Sequence, residues 1–435
     1  MQRSLNDFTE RYFKHILGVL FLCTIVYVLS GGLQIHNDSD GYIDMSIIRL
    51  PVYSLLVQLL YSESFGIPLL LVQIGSICTS VYLLVNTLKQ QLQLKPFWYI
   101  LLTFVLLAPS ITGDHIANNV LSEAIAYALY LLAVNFTCLA FFKEDRKYII
   151  WLLPVIFLLL LTRGQFIFVV AVAFLLLAWI SYQQKTFKKN ALLFLLILAL
   201  PTIVSLSDKT YHKVVNGHFV KTPWTGVHLL TPAIYLANAS DSDIYTEASE
   251  KEFFKAVFAK LEERELNLHS SKAAQLDPVG FYRDKYTRIT NWTLYYFGKE
   301  QLGQSLSEDE KFIKLEQMTS AITPSLVIKN FKAWANLNIR NFISGFGNIA
   351  IAIFFFIVLA FGLFHLRKNS SNIIKILILG AILTISNMAI IAIGIHTIKR
   401  FTFYNDWVFY LILFVLLNSL ASGLKERVSN QKTSL

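Results

Sequence analysis

Charged residues are scarce in this sequence. Asp, Glu, Lys and Arg together make up 15% of its 435 residues, whereas hydrophobic residues make up 55%. Soluble globular domains hold roughly 25% charged residues, so this composition excludes an ordinary soluble protein. Apolar runs of about 18 to 25 residues recur along the chain, and each is long enough to cross a bilayer. The sequence therefore predicts an all-α polytopic membrane protein.

Cysteine is also scarce. Cys23, Cys78 and Cys138 lie far apart inside apolar runs, which excludes a disulfide framework and a paired-cysteine metal site. We expect all three to be small buried apolar side chains. The first apolar run, 13–30, lacks a small-x-small cleavage site, so we expect a retained helix rather than a signal peptide.

The net charge of +10 does not indicate a nucleic-acid partner. Lys and Arg collect in short loops that alternate with loops almost free of them, and this is the positive-inside pattern of membrane proteins. The pattern predicts a multi-pass protein of the cytoplasmic (inner) membrane with both termini in the cytoplasm. The basic loops contain Arg3, Arg11 and Lys14; Lys89 and Lys95; Lys143, Arg146 and Lys147; Lys185, Lys188 and Lys189; Arg367, Lys368 and Lys375; and Lys425, Arg427 and Lys432.

About ten membrane spans satisfy both the hydropathy and this alternation. Arg163 and Gly164 interrupt one long apolar stretch, which is either two short helices or a single kinked one. Two crossings keep the later basic loops on the cytoplasmic side, so we predict two. The predicted spans are 13–31, 66–88, 96–112, 119–142, 149–162, 165–182, 190–207, 342–366, 373–395 and 407–423.

These spans divide the chain into three parts. An N-terminal transmembrane module covers 1–207 with about seven spans, and a C-terminal module covers 342–435 with about three spans and a cytoplasmic tail. Between them, 208–341 forms a mostly helical extracytoplasmic segment. Its helical signals are apolar spacing at Phe254, Val257, Phe258 and Leu261, a capping box at Ser307 and Glu310, and an amphipathic stretch around Trp334 that is expected to lie on the membrane.

Three carboxylates follow the first predicted span within seven positions. Asp38, Asp40 and Asp44 lie in a first outer loop that we place at 32–65. A carboxylate at membrane depth costs several kcal/mol and is usually kept where water, a partner or a substrate reaches it. The acids themselves are compatible with a solvated loop that ends the span and with a functional site.

Polar residues also gather around the fourth predicted span. Glu123 is expected about one turn into it, and an acid inside a membrane indicates a functional site by default. Glu123 could line an acceptor site, hold a divalent ion with Asp38 or Asp40, or pair with Arg163. The polar residues before it are Asp114, His115, Asn118 and Asn119.

A compact basic group occupies the last outer loop. His396, Lys399 and Arg400 lie within five positions there. Lys and Arg often anchor span ends at the interface. Positive residues on the outer side run against the topology rule, however, and this favours the binding of an anion such as phosphate. Arg163 is a second, isolated example.

Several stretches resemble one enzyme family. Asp38-Ser-x-x-Tyr42, followed by Arg49-x-Pro51-x-Tyr53, resembles the first outer loop of GT-C glycosyltransferases, integral membrane enzymes that use polyprenyl-phosphate sugars. The likeness is to the protein-mannosyltransferase and aminoarabinose-transferase branch. "NNVLSEAIAYALYLLA" resembles its Ser-Glu-bearing fourth span, "LLLLTRGQFIF" its Leu-x-Arg break, and "KRFTFYNDWVFYLIL" its entry to a late span.

The resemblance implies a reaction and residues for it. Asp38 would be the general base that deprotonates an acceptor hydroxyl, with Asp40 as the second choice, and the reaction would invert the anomeric centre. Arg400, Lys399 and His396, with Arg163, would bind the donor phosphate. A divalent cation (Mg²⁺, Mn²⁺ or Zn²⁺) enters only through relatives, with Asp38, Asp40 and Glu123 as its ligands. The residues expected to line the site or bind the acceptor are Tyr42, Asp44, Arg49, Asp114, His115, Asn118 and Glu123.

The predicted function is thus the transfer of a sugar from a polyprenyl-phosphate carrier to an extracytoplasmic glycan, lipid or protein. A transporter or flippase for lipid-linked sugars is an alternative, but it would be expected to show internal repeats and polar groups near the midplane. An O-antigen-type polymerase or ligase is another alternative. It would use outer-loop Arg and His residues without needing the first-loop Asp.

Overall fold

A computed structural model describes residues 2–62, 66–113, 115–368 and 370–433, with side chains described between residues 7 and 421. Within these ranges the chain is helical, and extended segments pair only at a single bridge between Gln34 and Asn119. The predicted all-α membrane-protein architecture is confirmed at this level.

Helices of the N-terminal part follow the apolar runs. Proline is the first or second residue of α4, α5 and α6, where its missing N–H costs no hydrogen bond. The bounds are α1 (Gln2–Arg11), α2 (Phe13–Gly31), α3 (Asp40–Ile43), α4 (Pro51–Leu60), α5 (Ile67–Leu92), α6 (Pro96–Ile111), α7 (Glu123–Lys143), α8 (Lys147–Leu160), α9 (Phe168–Gln184) and α10 (Ala191–Val215).

The segment between α10 and α18, which we call the middle segment, and the C-terminal part are also helical. The middle segment contains α11 (Thr225–Tyr235), α12 (Ala248–Glu263), α13 (Lys272–Leu276), α14 (Pro278–Thr287), a π-helix (Arg288–Phe297), α15 (Gly298–Glu300), α16 (Glu308–Lys329) and α17 (Phe331–Gly345). The C-terminal part contains α18 (Ile349–Leu366), α19 (Asn372–Gly394), α20 (Lys399–Thr402) and α21 (Asp406–Thr433). Short 3₁₀ turns occupy Gly164–Ile167, Lys188–Asn190, Ala239–Ile244 and Phe403–Asn405.

Eight helical stretches in the described part of the chain are long and apolar enough to cross a membrane. They contain α2, α5, α7, α9, α10, α18, α19 and the combined α20–α21 region. Two further predicted spans correspond to the shorter apolar helices α6 and α8. The count of ten spans therefore remains a prediction.

Contacts at one end of the bundle join the beginnings and ends of several helices. Glu144, directly after α7, forms an ion pair with Lys375 near the start of α19 at 2.8 Å. Lys89, near the end of α5, forms one with Glu10 of α1 at 2.7 Å. We call this end, defined by Lys89, Glu144 and Lys375, the lysine end.

The opposite end holds the start of α7. Glu123 there forms ion pairs with Arg163, which follows α8, and with Arg400 of α20. We call this end, defined by Glu123, Arg163 and Arg400, the site end. α8 thus runs back antiparallel to α7, and α9 returns to the lysine end, where Gln184 donates to the carbonyl of Glu144 at 2.5 Å. The stretch around Arg163 is two helices rather than one, because its backbone is extended at that residue (φ −152°, ψ 116°).

Several predicted boundaries differ from the structure. Glu123 is the first residue of α7, not a residue one turn inside it, because 119–122 turn back to pair with the first loop. The helix predicted from 342 is broken at Gly347, whose positive φ of 84° ends α17 before α18 begins. α10 continues past the predicted boundary at 207 to Val215. Cys78 and Cys138 are buried as expected, but Cys23 is exposed on α2.

The middle segment has its own apolar core. Phe254, Val257, Phe258 and Leu261 of α12 are buried in it, which confirms the predicted helical face. The Ser307 hydroxyl accepts from the N–H of Glu310, and the Glu310 carboxylate accepts from the N–H of Ser307, so the predicted capping box begins α16. The amphipathic stretch around Trp334 is divided at Asn330 into the end of α16 and the separate helix α17.

Candidate functional site

Five charged side chains meet at the site end. Asp38 accepts hydrogen bonds from Arg49 Nη2 at 3.0 Å and from Arg400 Nη1 at 2.9 Å. Arg400 Nε donates to Glu123 Oε1 at 2.5 Å, and Arg163 Nη1 lies 2.9 Å from the same oxygen. One guanidinium, that of Arg400, therefore joins the first-loop carboxylate to the carboxylate of α7. We call these five residues the charge cluster.

Backbone pairing brings the first loop to α7. The N–H of Gln34 donates to the carbonyl of Asn118 at 2.8 Å, and the N–H of Val120 donates back to Gln34 at 3.0 Å. Asp38 lies in the turn that follows this bridge, just before α3. The absence of a side chain at Gly41 matters here, because a Cβ would lie 2.6 Å from Arg49 Nε. Glycine therefore lets the Arg49 guanidinium approach the loop closely.

A buried polar network holds the segments that carry the charge cluster. The Tyr42 hydroxyl donates to Ser122 Oγ at 3.1 Å, directly before α7, and the Tyr53 ring packs edge-on against Tyr42. The Tyr53 hydroxyl donates to Gln73 Oε1 at 2.6 Å, and Gln73 Nε2 donates to the carbonyl of Ala117 at 2.8 Å. Because each amide and hydroxyl has a specific partner, this network holds the first loop and the start of α7 in one arrangement.

Gln73 and Ser122 were not predicted as members of this arrangement. A signal for Gln73 was available, since it is a polar amide in the middle of an apolar run and is completely buried. Two aromatic rings that lie against Arg163 were also missed, those of Phe401 (5.4 Å) and Tyr404 (5.9 Å). Tyr42, which was expected to line the site, lies against Arg49 (4.7 Å). Such contacts fix the direction of a guanidinium.

The cluster combines buried and accessible charges. The Glu123 side chain is 4% exposed, whereas those of Asp38 and Arg400 are 43% and 36% exposed. Three guanidiniums face two carboxylates, so the cluster carries one excess positive charge. Two of its buried atoms, Glu123 Oε2 and Arg49 Nε, have no hydrogen-bond partner among the described residues. The excess positive charge and the accessible side of Arg400 suit the open side of the cluster to an additional anion.

The electrostatics of Asp38 follow from this arrangement. Burial opposes ionisation of the carboxyl, but the positive charges of Arg49 and Arg400 and their hydrogen bonds outweigh burial. The pKa of Asp38 therefore lies below its ordinary value, and the group is ionised at neutral pH. An ionised carboxylate can accept a proton, but the arginines that bind it reduce its basicity.

Other predicted site residues lie outside the cluster. Asp40 and Asp44 are exposed, and no ion pair of theirs is found within the described ranges. Lys399 forms an ion pair with Asp406 instead of joining Arg400. His396 stacks on Tyr286 with ring centroids 4.2 Å apart, away from the carboxylates.

The turn before α7 has a structural role. Asn118 Nδ2 donates to the carbonyls of Val28 and Gly32 at 2.7 Å each, and so fastens the turn to the end of α2. His115 has a positive φ of 43° and lies beside Tyr27. Asp114 lies outside the described residues.

The charge cluster does not fit a divalent cation. Both carboxylates that a metal would take, Asp38 and Glu123, already bind arginines, and Asp40 does not join them. In the part of the chain that the structure describes, no group of three His, Cys, Asp or Glu side chains could hold a metal. Adjacent guanidiniums would also repel a cation. The donor set at the cluster therefore suits an anion rather than the divalent cation that the resemblance implies.

The arrangement can do two things chemically. Arginines on its open side can bind a phosphate through paired N–H groups, and Asp38 can accept a proton beside them. Comparison with known protein families, with curated proteins and with solved structures finds no match for this chain.

Proposed function

We propose that this protein is a membrane glycosyltransferase. It moves a sugar from a polyprenyl-phosphate carrier to an extracytoplasmic glycan, lipid or protein, with Asp38 as the general base. The observation that carries the proposal is the Asp38–Arg400–Glu123 connection, which places a half-exposed carboxylate beside an excess of guanidinium groups at the end of the membrane bundle. The sequence resemblance to GT-C enzymes supports the same chemistry.

The donor phosphate would bind on the open side of the cluster. Arg400 is the principal candidate because it is accessible and is held in place by Glu123. Arg49 is the second, because its Nη2 binds the same half-exposed carboxylate, that of Asp38. As the sugar–phosphate bond breaks, negative charge grows on the leaving phosphate, and fixed guanidiniums stabilise that charge. Arg163 supports this role indirectly, since it neutralises part of Glu123.

Phosphate binding would also prepare the base. Arg49 and Arg400 hold Asp38 in the free protein, and a phosphate that pairs with them weakens their hold on the carboxylate. The pKa of Asp38 would then rise towards its ordinary value, which makes the carboxylate a better proton acceptor. The acceptor hydroxyl would attack from the face opposite the phosphate, so the anomeric configuration would invert.

The proposed orientation follows the charge distribution. The loops rich in lysine and arginine lie at the lysine end. By the positive-inside rule, the lysine end and both termini would be cytoplasmic, and the site end would face outward. The protein would cross the cytoplasmic membrane about ten times, with α6 and α8 as its two short spans.

The first experiment is complementation of a deletion strain with wild type, Asp38→Asn or Asp44→Asn. Asp44 is the matched control, because it is an exposed carboxylate of the same loop outside the cluster. Mass spectrometry would profile surface glycans and polyprenyl-phosphate sugars. With Asp38→Asn we expect loss of one sugar from the glycans and accumulation of its polyprenyl-phosphate form, whereas Asp44→Asn should restore the wild-type profile. Full restoration by an inserted Asp38→Asn protein would reject Asp38 as the base.

A reconstituted assay separates transfer from transport. Purified protein in liposomes would receive the accumulated lipid-linked sugar and extracted acceptor. Release of free polyprenyl phosphate with a newly glycosylated acceptor is the expected result. Movement of the intact lipid-linked sugar between leaflets, without release, would identify a flippase instead.

A further inference from the structure

A second charged site lies in the middle segment, away from the charge cluster. A cavity of about 330 Å³ opens between the start of α14 and the end of α17. Its walls combine both signs of charge with apolar side chains. The residues that matter here are Asp277, Val279, Arg283, Arg340, Ile343 and Ser344.

The cavity lies beside the ends of two candidate membrane helices. Ser344 is one short turn of chain before Ile349, the first residue of α18. On the other side, Arg283 Nη2 donates to the carbonyl of Thr397 at 2.9 Å, in the loop directly after α19. Because candidate membrane spans begin or end on both sides of the cavity, we place it at the level of the lipid headgroups.

Unused hydrogen-bonding groups line the cavity. Arg283 Nε is buried and has no partner among the described residues. Arg340 is half-exposed, and its Nη2 lies 3.9 Å from Asp277 Oδ1, which is too far for a hydrogen bond. Asp277 is largely exposed, and its Oδ1 already accepts from the N–H of Gly280 at 3.0 Å. The two guanidiniums thus share one carboxylate, which forms a single long ion pair with Arg340 and accepts no hydrogen bond from either arginine.

The apolar surroundings indicate a lipid rather than a soluble anion. Val279 and Ile343 form part of the wall. On α17, Phe331 and Ile339 are 61% and 59% exposed, and Ile339 is adjacent to Arg340. An amphipathic helix with exposed apolar residues beside arginine is typical of a helix that lies in the membrane interface. Acyl chains beside α17 would place their headgroup at the cavity.

We propose that this cavity binds the headgroup of a phospholipid that carries both a phosphate and an amine. The phosphate pairs with Arg283 and Arg340, with the Ser344 hydroxyl as a further donor, and the ammonium group pairs with Asp277. A lipid with phosphate alone would leave Asp277 unpaired beside a second negative charge, and a neutral sugar would leave both guanidiniums without an anion. Binding of this headgroup is independent of sugar transfer at the charge cluster.

The test measures lipid retention by native mass spectrometry. The full-length protein is reconstituted in nanodiscs with equal amounts of phosphatidylethanolamine and phosphatidylglycerol, released, and the retained lipids are counted. Wild type should retain phosphatidylethanolamine in excess. Arg340→Gln should lower this retention about tenfold, because it removes a charged hydrogen-bond donor. Asp277→Asn should retain lipid but lose the preference for phosphatidylethanolamine, and asparagine still caps α14.

Two controls keep the result specific. Arg288→Gln removes an exposed arginine of the same segment outside the cavity, and it should leave retention unchanged. Free O-phosphoethanolamine at millimolar concentration distinguishes recognition of the headgroup from recognition of the acyl chains. Displacement of the retained lipid would support recognition of the headgroup alone. Failure to displace it would support a contribution from the acyl chains. Equal retention by wild type and Arg340→Gln would overturn the site. An unchanged lipid preference in Asp277→Asn would overturn recognition of the amine.

Discussion

The two ends of the helix bundle use charge differently. At the lysine end, Glu10 pairs with Lys89 and Glu144 pairs with Lys375, so each lysine has its own carboxylate. At the site end, two carboxylates face three arginines in one connected cluster. The lysine-end pairs join helices and are complete as they stand. The site-end cluster keeps an excess positive charge on its open side.

The choice of cation differs in the same way. Lysine is a flexible point charge, whereas the planar guanidinium of arginine presents a fixed fork of donors that matches carboxylates and phosphates. Arg400 uses two of its nitrogens for two different carboxylates, whereas Lys89 and Lys375 each pair with one. Helix association explains the lysine end, whereas the proposed function assigns the binding of a phosphate to the site end.

The largest effect is expected from Asp38→Asn. Loss of a general base lowers a reaction rate by roughly 10²- to 10⁴-fold, and the amide cannot replace the carboxylate as a proton acceptor. Transfer should therefore fall by this factor in the liposome assay. Binding of polyprenyl phosphate should be maintained or become tighter, because a carboxylate that competes for Arg49 and Arg400 is removed. A loss of binding with no change in the chemical step would contradict this role.

Glu123→Gln should give the next largest effect, on stability. It removes the carboxylate that both Arg163 and Arg400 contact inside the bundle, and breaking such a buried pair costs about 3–5 kcal/mol. A denaturant titration in detergent micelles gives the free energy of unfolding and so measures this loss of stability. Glu10→Gln is the matched substitution at the lysine end. Since the Glu10 side chain is 58% exposed, this substitution should lower the free energy of unfolding by less than about 1 kcal/mol. Equal costs at both ends would remove the distinction between them.

Arg400→Lys should give a smaller effect, on ligand binding. Lysine keeps the charge but cannot reach Asp38 and Glu123 with separate nitrogens of one planar group. We expect affinity for polyprenyl phosphate to fall about tenfold, as for the loss of one charged hydrogen bond. Lys399→Gln is the control, because the neighbouring Lys399 pairs with Asp406. Titration of both variants in nanodiscs measures the difference, and similar losses in the two would point to charge alone.

Acidification should also lower stability through a histidine of the middle segment, by an amount that grows with each pH unit. Burial, with a contribution from His396, lowers the pKa of His228 to about 3, and burial also lowers the pKa of His396. The unfolded chain binds a proton at His228 below about pH 6.5, but the folded chain does not do so until about pH 3. Stability should therefore decrease as the pH falls below about 6.5, by at most about 1.4 kcal/mol per pH unit for this group.

Thermal unfolding in detergent at pH 7, 6 and 5 checks this prediction. His228→Asn should flatten the pH dependence, since asparagine can still bond to the Tyr286 hydroxyl that His228 Nδ1 contacts at 2.6 Å. Substitution of the exposed His15 by Asn should leave the pH dependence as in wild type. If His228→Asn keeps the full dependence, other groups account for it.

Sequence neighbours did not always become neighbours at the site. Lys399 and Arg400 are adjacent, yet they contact different carboxylates, because successive residues of a helical turn point about 100° apart. Asp38 and Asp40 are separated in the same way, with Asp38 in a turn and Asp40 in the short helix α3. The sequence pattern selected the right segments, but the direction of each side chain depended on the local backbone.

A helical membrane protein follows from the sequence alone, because the length and spacing of its apolar runs leave no other place to bury them. The inward face of α12 and the start of α16 follow in the same way, since helical spacing and capping act over a few residues. Tertiary packing, in contrast, was needed to bring Arg400 to Asp38 across 362 positions and to place Gln73 against the turn before α7. Such contacts depend on how whole helices pack, and hydropathy carries no information about which polar group will meet which.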